Sequence, residues 1–223
     1  MSELLPCVEL ETGAKPDAAV IWLHGLGADG NDFAPIVPEL ELKGAAVRFV
    51  FPHAPQRPVT INMGMRMPAW YDILQMGGGR EDDAGIRESQ SRIEDLIARE
   101  VQRGITPRRI VLAGFSQGGA IVLHTGLRHA QRLAGILALS TYLPLADTVE
   151  KERHNANRDL PVFVAHGTHD PMIALARAER TRGQLEALGN PVKYATYPME
   201  HSVCPQEIAD IGAWLGAVIP PRA

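Results

Sequence analysis

The sequence predicts an α/β fold with a mainly parallel central sheet and helices on both faces. Short runs rich in Val, Ile and Leu alternate along the chain with longer helical patterns, which is typical of βα units. The 223 residues lie within the range of one large domain, and no repeat, linker or low-complexity tract divides them. We therefore expect a single domain, residues 1–223, that buries a substantial core.

Short apolar runs predict the strands, and longer periodic segments predict the helices. The predicted strands cover residues 7–10, 19–23, 47–51, 109–114, 135–140, 162–166 and 192–197. The clearest helix is "EDDAGIRESQSRIEDLIAREVQRG", residues 81–104, because its apolar residues recur near the helical period, acids occupy its first turn and a glycine follows its end. Weaker helical patterns follow strands at residues 118–130, 174–188 and 205–218.

The segment from residue 52 to residue 80, "PHAPQRPVTINMGMRMPAWYDILQMGGGR", departs from this alternation. Four prolines and a triple glycine predict a lid-like excursion instead of a core βα unit. Within it, Met63, Met65 and Met67 alternate along an extended run, and Trp70 and Leu74 follow. Flexible methionine side chains on one face suit variable apolar shapes such as acyl chains. Packing of the excursion onto the sheet accounts for the same pattern, and both interpretations stay open.

Composition and charge narrow the classes of partner. A formal net charge of −4, with 45% apolar and 22% charged residues, gives no electrostatic reason to expect nucleic acid or an anionic membrane surface. The first residues, "MSELLPCVELETG", are acidic rather than basic and contain no continuous apolar stretch. We therefore expect no secretion, no stable membrane insertion and a cytoplasmic location. A site for a small molecule is the expected function.

The cysteine and histidine spacings predict neither a metal nor a redox centre. Cys7 and Cys204 are the only cysteines, lack C-x-x-C spacing and are expected to be free thiols. His166 and His169 form an H-x-x-H pair without further ligands at suitable spacing, which is weak evidence for zinc. We therefore expect no bound metal.

The strongest chemical motif is "RIVLAGFSQGGA", in which a predicted strand runs through G-x-S-x-G, residues 114–118, into a predicted helix. This is the context of a nucleophile elbow, where a sharp turn tolerates only minimal flanking side chains and lifts the serine above the sheet at a helix N-terminus. The pattern predicts Ser116 as a nucleophile. A helix N-terminal serine with packing glycines is the alternative, but it needs no glycine on both sides.

An acid and a histidine later in the chain complete this prediction. A serine nucleophile needs a base to take its proton and a third group to orient that base, and after an elbow these follow in the order acid, then histidine. His201, in "YPMEHSVCPQEI", lies between the last predicted strand and the last predicted helix. Asp170 directly follows a strand in "VFVAHGTHDPMI", and Asp147 in "STYLPLADT" is the rival. We favour Asp170 because it lies closer to its strand end.

The stretch "WLHGLGADG", residues 22–30, has two interpretations. Gly25, Gly27 and Gly30 match G-x-G-x-x-G, the glycine spacing of a dinucleotide-binding turn. That site needs an acid at the end of the second strand, about twenty residues on, but "RFVFPHAP" contains neither Asp nor Glu. A hydrolase instead needs two backbone N–H groups aimed at an oxyanion, one of them from a loop after an early strand. We therefore interpret the stretch as an oxyanion loop.

Four blocks of the sequence resemble the carboxylesterase and acyl-protein thioesterase family, the small α/β-hydrolases also called the phospholipase/carboxylesterase family. The blocks are "LHGLGADGNDF", "FPHAPQRPVTINMGMRMPAWYDI", "GFSQGGA", and "AHGTHDPMI" followed by "MEHSV". They span nearly the whole chain in the family's order, and together they are highly specific. The resemblance implies the α/β-hydrolase fold.

The resemblance also implies a role for each matching residue. Ser116 is the implied nucleophile, Asp170 the acid and His201 the base. The N–H groups of Leu26 and Gln117 form the implied oxyanion hole.

The resemblance further implies that the "AWYDI" loop lies over the acyl pocket, with Trp70 at its edge. His169, immediately before the acid, departs from the pattern that we expect and adds a titrating group near the site. Members of the family differ widely in acyl preference, so the resemblance does not identify the substrate.

Together the residues and the resemblance predict a serine carboxylesterase that cleaves carboxylic esters of small to medium acyl chains, and thioesters as a further class, through an acyl-enzyme. An acyl-protein thioesterase or lysophospholipase of the same family is the alternative among enzymes. A catalytically silent hydrolase-fold receptor is the alternative from another class. We expect a small-molecule or lipid-like ester as the substrate, no nucleic acid partner and no cofactor, and a homodimer stays open.

Overall fold

A seven-stranded sheet forms the centre of the computed structural model, which describes residues 4–42, 44–75 and 79–222. In chain order, the strands of these residues are β1 (Cys7–Glu11), β2 (Ala18–Leu23), β3 (Val47–Pro52), β4 (Gln56–Val59), β5 (Met65–Pro68), β6 (Ile110–Phe115), β7 (Gly135–Leu139), β8 (Val162–Gly167) and β9 (Val192–Tyr197). The central sheet has the order β1-β3-β2-β6-β7-β8-β9. It is parallel except for β1, which pairs antiparallel with β3. The predicted fold class is confirmed.

Helices cover both faces of this sheet. The α-helices of the described residues are α1 (Asp83–Gln102), α2 (Gln117–Arg128), α3 (Ala146–Glu152), α4 (Leu175–Ala187) and α5 (Pro205–Val218). The helices α1, α2 and α4 pack on one face, whereas α5 and a 3₁₀ helix at Ala34–Leu40 pack on the other. The sequence did not predict α3, because "ADTVEKE" is short and mostly polar and shows no apolar period. Among the described helices, none is both long and apolar enough to cross a membrane.

Strand β2 illustrates how the sequence fills both layers. All of its residues are buried. Ile21 and Leu23 belong to the apolar layer beneath α1 and α2, while Val20 and Trp22 belong to the layer beneath α5. A central parallel strand is therefore a continuous apolar run, as its sequence shows. Polar residues that could bind a ligand are therefore expected in the loops that follow the carboxyl ends of the strands.

Residues 52–80 leave the central sheet after β3. Strands β4 and β5 form an antiparallel hairpin and pair only with each other. The chain then passes through the "AWYDI" loop to α1. Residues 76–78, which include two of the three consecutive glycines, lie outside the described residues. The lid-like behaviour of this segment stays a prediction.

Glu207, in the first turn of α5, is a fully buried carboxyl group. Burial raises the pKa of Glu207 to about 8; the backbone N–H of Cys204 opposes this rise and Asp210 adds to it. In the unfolded chain a glutamate has a pKa of about 4.3. The folded protein therefore keeps a proton that the unfolded chain loses. The proton on Glu207 therefore stabilises the folded protein fully below a pH of about 4. This stabilisation decreases as the pH rises above that value and is lost once the pH has passed about 8.

Replacing Glu207 with glutamine is expected to remove this pH dependence. Between the two pKa values, the wild-type free energy of unfolding should fall because of this group by up to about 1.4 kcal/mol per pH unit, and that of the variant should not. Urea unfolding at about pH 5 and about pH 8 measures the difference. Glu179→Gln, at an exposed position of α4, is the matched control. Parallel pH dependences for the wild type and Glu207→Gln would contradict the assignment.

Candidate active site

Ser116 occupies a strained turn between β6 and α2. Its backbone has φ 53° and ψ −119°, a conformation that residues other than glycine rarely adopt. The neighbouring glycines make the turn sterically feasible. A Cβ at Gly114 would lie 2.5 Å from the backbone of Gly118, and a Cβ at Gly118 would lie 2.5 Å from the carbonyl oxygen of Leu23. The strand-turn-helix context predicted for the elbow is present.

The imidazole of His201 bridges two side chains. Its Nε2 lies 2.9 Å from Oγ of Ser116, and its Nδ1 lies 2.7 Å from Oδ2 of Asp170. When Nδ1 carries the proton, Nε2 accepts the hydrogen of the serine hydroxyl. The ring of Phe115 packs against the imidazole with the ring centres 4.7 Å apart. This geometry can remove the hydroxyl proton while the oxygen attacks a carbonyl carbon.

The carboxylate of Asp170 is held by donors on both oxygens. Oδ1 accepts the N–H groups of Met172 and Ile173 at 2.8 and 2.9 Å, which leaves Oδ2 for His201. Burial by itself would raise the pKa of Asp170, but the hydrogen bonds from His201 and from the two N–H groups outweigh burial and hold this pKa below its usual value. The carboxylate therefore stays ionised at neutral pH.

Of the two carboxylates that the sequence offered, the structure brings Asp170 to His201. Asp147 is exposed in the first turn of α3. The side chain of His169 is also exposed, and its backbone N–H donates to the carbonyl of Met199. The side chain of His169 is therefore not part of the hydrogen-bonded set formed by Ser116, His201 and Asp170.

A different histidine lies behind Asp170. His166 is fully buried at the end of β8, with Nε2 2.8 Å from the carbonyl oxygen of Ile173 and 3.4 Å from Oδ2 of Asp170. Burial lowers the pKa of His166, although the Ile173 carbonyl and Asp170 oppose this effect. The ring is therefore neutral at physiological pH and donates from Nε2 to the turn that carries the acid.

The glycines of "HGLGADG" shape a loop beside the elbow. Gly27 has φ 79°, in the left-handed region that favours glycine, and its N–H donates to the carbonyl of Pro68 at 2.9 Å. A Cβ at Gly30 would collide with the carbonyl oxygen of Phe51. The chain then enters the 3₁₀ helix at Ala34–Leu40. The loop therefore does not lead directly into the α-helix whose N-terminus would bind a pyrophosphate.

Leu26 and Gln117 line the same cavity as Ser116. Among the hydrogen bonds of residues 4–42, 44–75 and 79–222, none uses the backbone N–H of Leu26 or that of Gln117. Gln117 is the first residue of α2, where an N–H has no partner within its own helix. Both donors are therefore available to a bound oxyanion.

Trp70 joins three elements and does not border the cavity. The residue has 0% exposure. Its Nε1 donates to the carbonyl of His24 at 2.9 Å, and its backbone N–H donates to Oε1 of Gln117 at 2.7 Å. The hydroxyl of Ser89 donates to its carbonyl. The prediction of Trp70 at the edge of the acyl pocket is wrong, because these bonds turn the residue inward and fasten the "AWYDI" loop to the elbow.

A cavity of about 270 Å³ opens at Ser116 and His201. Its apolar wall includes Leu26, Ile61, Ile73, Leu74, Phe115 and Ile173. Leu74 thus lies where the sequence predicts a contact with substrate. The residues that follow Trp70 in the "AWYDI" loop also line the cavity, so this loop borders the space in which an acyl group would fit.

The three alternating methionines do not line this cavity. Met63 and Met65 are 94% and 61% exposed on the hairpin, and Met67 is half-buried with its Sδ accepting from Asn62. Met63 has φ 56° in a turn, so the extended alternation begins only at Met65. The prediction of an acyl-binding methionine face is therefore wrong.

Sequence reasoning missed most of the cavity wall, including the polar residues Tyr142 and Arg177. Tyr142 follows β7 and Arg177 lies in the first turn of α4. Both lie at the carboxyl edge of the sheet, where ligands bind in open α/β sheets. Position after a strand was the only available signal, and many residues that contact no ligand share it.

Comparison with known proteins identifies close sequence relatives. The family described as Phospholipase/Carboxylesterase matches residues 6–219. Acyl-protein thioesterase 1 of Gibberella zeae is 43% identical over 216 residues, which cover 92% of each chain. Acyl-protein thioesterase 1 of Mycosarcoma maydis is 42% identical over 228 residues, which cover 95% of each chain.

Solved structures share the same architecture. Arabidopsis thaliana SOBER1 superposes with a TM-score of 0.86 at 27% identity, covering 91% of this chain and 99% of its own. Zea mays acyl-protein thioesterase 2 superposes with a TM-score of 0.83 at 22% identity, covering 96% of this chain and 99% of its own, and it supports the fold alone. The chain therefore belongs to the phospholipase/carboxylesterase family of α/β-hydrolases and is a hydrolase of the esterase and thioesterase class.

Proposed function

We propose that this hydrolase is a serine esterase that cleaves carboxylic esters and thioesters of small to medium acyl chains through an acyl-enzyme. The observation that carries the proposal is the bridge that His201 forms between Ser116 and Asp170, at 2.9 and 2.7 Å. A serine hydroxyl is a weak nucleophile at neutral pH, and this bridge is the arrangement that activates it.

The proposed reaction has two halves. In the first, Oγ of Ser116 attacks the ester carbonyl carbon, His201 takes the hydroxyl proton at Nε2, and the tetrahedral intermediate expels the alcohol or thiol, which receives that proton. In the second, His201 removes a proton from water, the hydroxide attacks the acyl-serine, and Ser116 leaves with the proton as the carboxylic acid forms. Asp170 keeps the Nδ1–H tautomer and stabilises the imidazolium in both halves.

The N–H groups of Leu26 and Gln117 are proposed to stabilise the negative oxygen of each tetrahedral intermediate. Their free donors and their place in the cavity with Ser116 support this role. Donors placed before the reaction stabilise the charge without further reorganisation, and one such donor contributes about 10²–10³ to kcat.

Replacing Leu26 with proline is expected to lower kcat by about 10²–10³, because proline has no N–H. Leu26→Ala keeps the donor, so it should lose far less and serves as the matched control. Steady-state kinetics on one short-chain ester measures both variants, and circular dichroism with thermal unfolding verifies that each is folded. Equal losses in two well-folded variants would remove the Leu26 N–H from the mechanism.

The cavity volume supports short to medium acyl chains. At about 270 Å³ it lies just below the usual range of small-molecule sites, about 300–1,000 Å³. An acyl-protein thioesterase acting on long chains is the second candidate, and the 42–43% identity to proteins of that name favours it.

Hydrolysis of p-nitrophenyl esters from acetate to palmitate tests the proposal. We expect kcat/KM to reach its maximum at a short or medium chain and to fall by palmitate. A maximum at palmitate, together with efficient cleavage of a palmitoyl thioester, would favour the second candidate. If no ester or thioester is hydrolysed and a fluorophosphonate does not label Ser116, the silent receptor replaces both.

The sequence is the basis for three further proposals, which concern the substrate class, the location and the cofactor. We propose a small-molecule or lipid-like ester as substrate, a cytoplasmic location and no cofactor, since the proposed chemistry uses side chains and water alone. A homodimer stays open, and sedimentation of the purified protein measures it.

A further inference from the structure

The cavity that holds Ser116 also contains a polar corner, defined here as Tyr71, Tyr142 and Arg177. The guanidinium carbon of Arg177 lies 3.5 Å from the centre of the Tyr142 ring. The hydroxyl oxygens of Tyr71 and Tyr142 are 2.8 Å apart. Tyr71 is nearly fully buried, and Tyr142 and Arg177 are half-buried. Ring stacking and a hydrogen bond therefore hold the polar corner together.

This corner has more hydrogen-bond donors than acceptors. A guanidinium carries five N–H donors, and stacking on Tyr142 occupies its face without using them. No carboxylate of the described residues forms an ion pair with Arg177 within 4 Å. Of the two phenol hydrogens, one serves the bond between Tyr71 and Tyr142, and the other has no acceptor within the described part of the chain. A ligand that supplies several acceptors and a negative charge would complete the corner.

Three acids of the described residues line the cavity, Asp32, Asp72 and Glu81. Glu81 is the one whose charge acts on Arg177 and competes with such a ligand. Its Oε2 accepts the backbone N–H of Leu145 at 2.9 Å. Burial raises the pKa of Glu81, while the Leu145 N–H and the charge of Arg177 oppose this effect. Glu81 therefore interacts with Arg177 at a distance but is bound elsewhere. Asp72, also in the cavity wall, accepts from the N–H and the hydroxyl of Thr60 at 2.7 and 2.5 Å.

We propose that the polar corner binds a carboxylate at the far end of the acyl group, so that the enzyme prefers monoesters of dicarboxylic acids to esters of uncharged acids. The planar fork of arginine matches the two oxygens of a carboxylate, and the free phenol hydrogen supplies a further donor. Ile73 and Leu74 provide an apolar wall for the methylenes in between. The proposal rests on the proposed function, because the same cavity has to hold the acyl group.

The test compares acyl groups that differ only in their ends. Monomethyl esters of straight-chain dicarboxylic acids, from succinate to suberate, are each paired with an ester in which an isopropyl group replaces the carboxylate. For adipate, the partner is methyl 6-methylheptanoate. At the chain length that spans the cavity, we expect wild-type kcat/KM to favour the carboxylate by roughly 10- to 100-fold, the size of a charge-assisted hydrogen-bond effect. Acetate esters of straight-chain ω-hydroxycarboxylic acids, which carry the carboxylate on the alcohol side, form a third arm.

Variants test whether the polar corner causes the preference for the ester with the carboxylate. Arg177→Met should abolish the ratio of kcat/KM between the paired esters, Arg177→Lys should restore part of it, and Glu81→Gln should increase it by removing the competing acid. Arg180→Met, at an exposed position of the same helix, makes the same change in net charge and should leave the ratio as in the wild type. Because each ratio is measured within one protein, a general loss of activity cancels.

Three results would overturn the inference. One is a wild-type ratio near unity at every chain length while the uncharged esters are hydrolysed, which leaves the proposed function intact. Another is a preference that Arg177→Met does not change in a folded protein, as judged by circular dichroism. The third is a stronger preference for the carboxylate on the alcohol side. Failure to hydrolyse any ester would instead contradict the proposed function.

Discussion

Replacing Ser116 with alanine is expected to reduce kcat by about 10⁴- to 10⁶-fold in a protein that stays folded. The loss is large because the three side chains act as a unit, and the residual rate comes from binding and the oxyanion hole alone. Alanine keeps the Cβ and the backbone of the turn and removes only the hydroxyl that lies 2.9 Å from His201. Steady-state hydrolysis of a short-chain ester, with circular dichroism as the check of folding, measures the effect.

Covalent labelling gives a second readout of the same variant. A fluorophosphonate should add one phosphonyl group to the wild type, detectable by mass spectrometry, and none to Ser116→Ala. Ser202→Ala is the matched control, because Ser202 is an exposed serine next to His201. Half of the wild-type activity in purified Ser116→Ala, or labelling of that variant at another serine, would show that the nucleophile had been assigned incorrectly.

Asp170→Asn is expected to reduce kcat by about 10⁴-fold through the tautomer of His201. The N–H groups of Met172 and Ile173 donate to Oδ1, so the amide oxygen of asparagine should take that place and its NH₂ should face His201. Nδ1 of His201 would then have to accept a hydrogen bond from this NH₂ group, so the imidazole proton would lie on Nε2. A protonated Nε2 cannot take the hydroxyl proton of Ser116. Activity measurements across a pH series, with thermal unfolding as the check of stability, quantify the loss.

The matched control for this substitution is Asp147→Asn. Asp147 is exposed on α3, so its removal should change kcat by less than about twofold. The opposite ranking of the two variants would move the acid to residue 147. A folded Asp170→Asn protein with nearly wild-type activity would remove a carboxylate from the mechanism altogether.

Much of the fold, and the residues of the hydrogen-bonded set Ser116, His201 and Asp170, could be predicted because local sequence patterns and chain order determine them. Alternating apolar runs and helical periods correspond to the seven central strands and to four of the five described α-helices. The G-x-S-x-G turn needs glycines for contacts within the motif and with the adjacent strand, so its sequence predicts its conformation. Chain order then restricts the histidine to the loop after the last strand, and His201 does lie beside Ser116.

Side-chain direction within residues 52–80 could not be predicted in this way. Trp70 turns inward because its partners, His24, Gln117 and Ser89, come from three other parts of the chain. Met63 and Met65 point to solvent because the hairpin pairs with itself and a turn with positive φ interrupts the alternation. Neither effect has a local sequence signal, since each depends on where distant segments pack.

The sequence by itself thus determined the α/β class, the elbow and the residues able to form a serine–histidine–aspartate set, because short-range sterics and chain order constrain them. The sequence also favoured Asp170 over Asp147. Only the tertiary structure showed that Asp170 contacts His201, and that Tyr71, Tyr142 and Arg177 share one cavity. The physical reason is that hydrogen bonds and ring contacts act over a few ångströms, whereas these residues are separated along the chain by tens of positions. Packing of the loops at the carboxyl edge of the sheet alone brings them within that range.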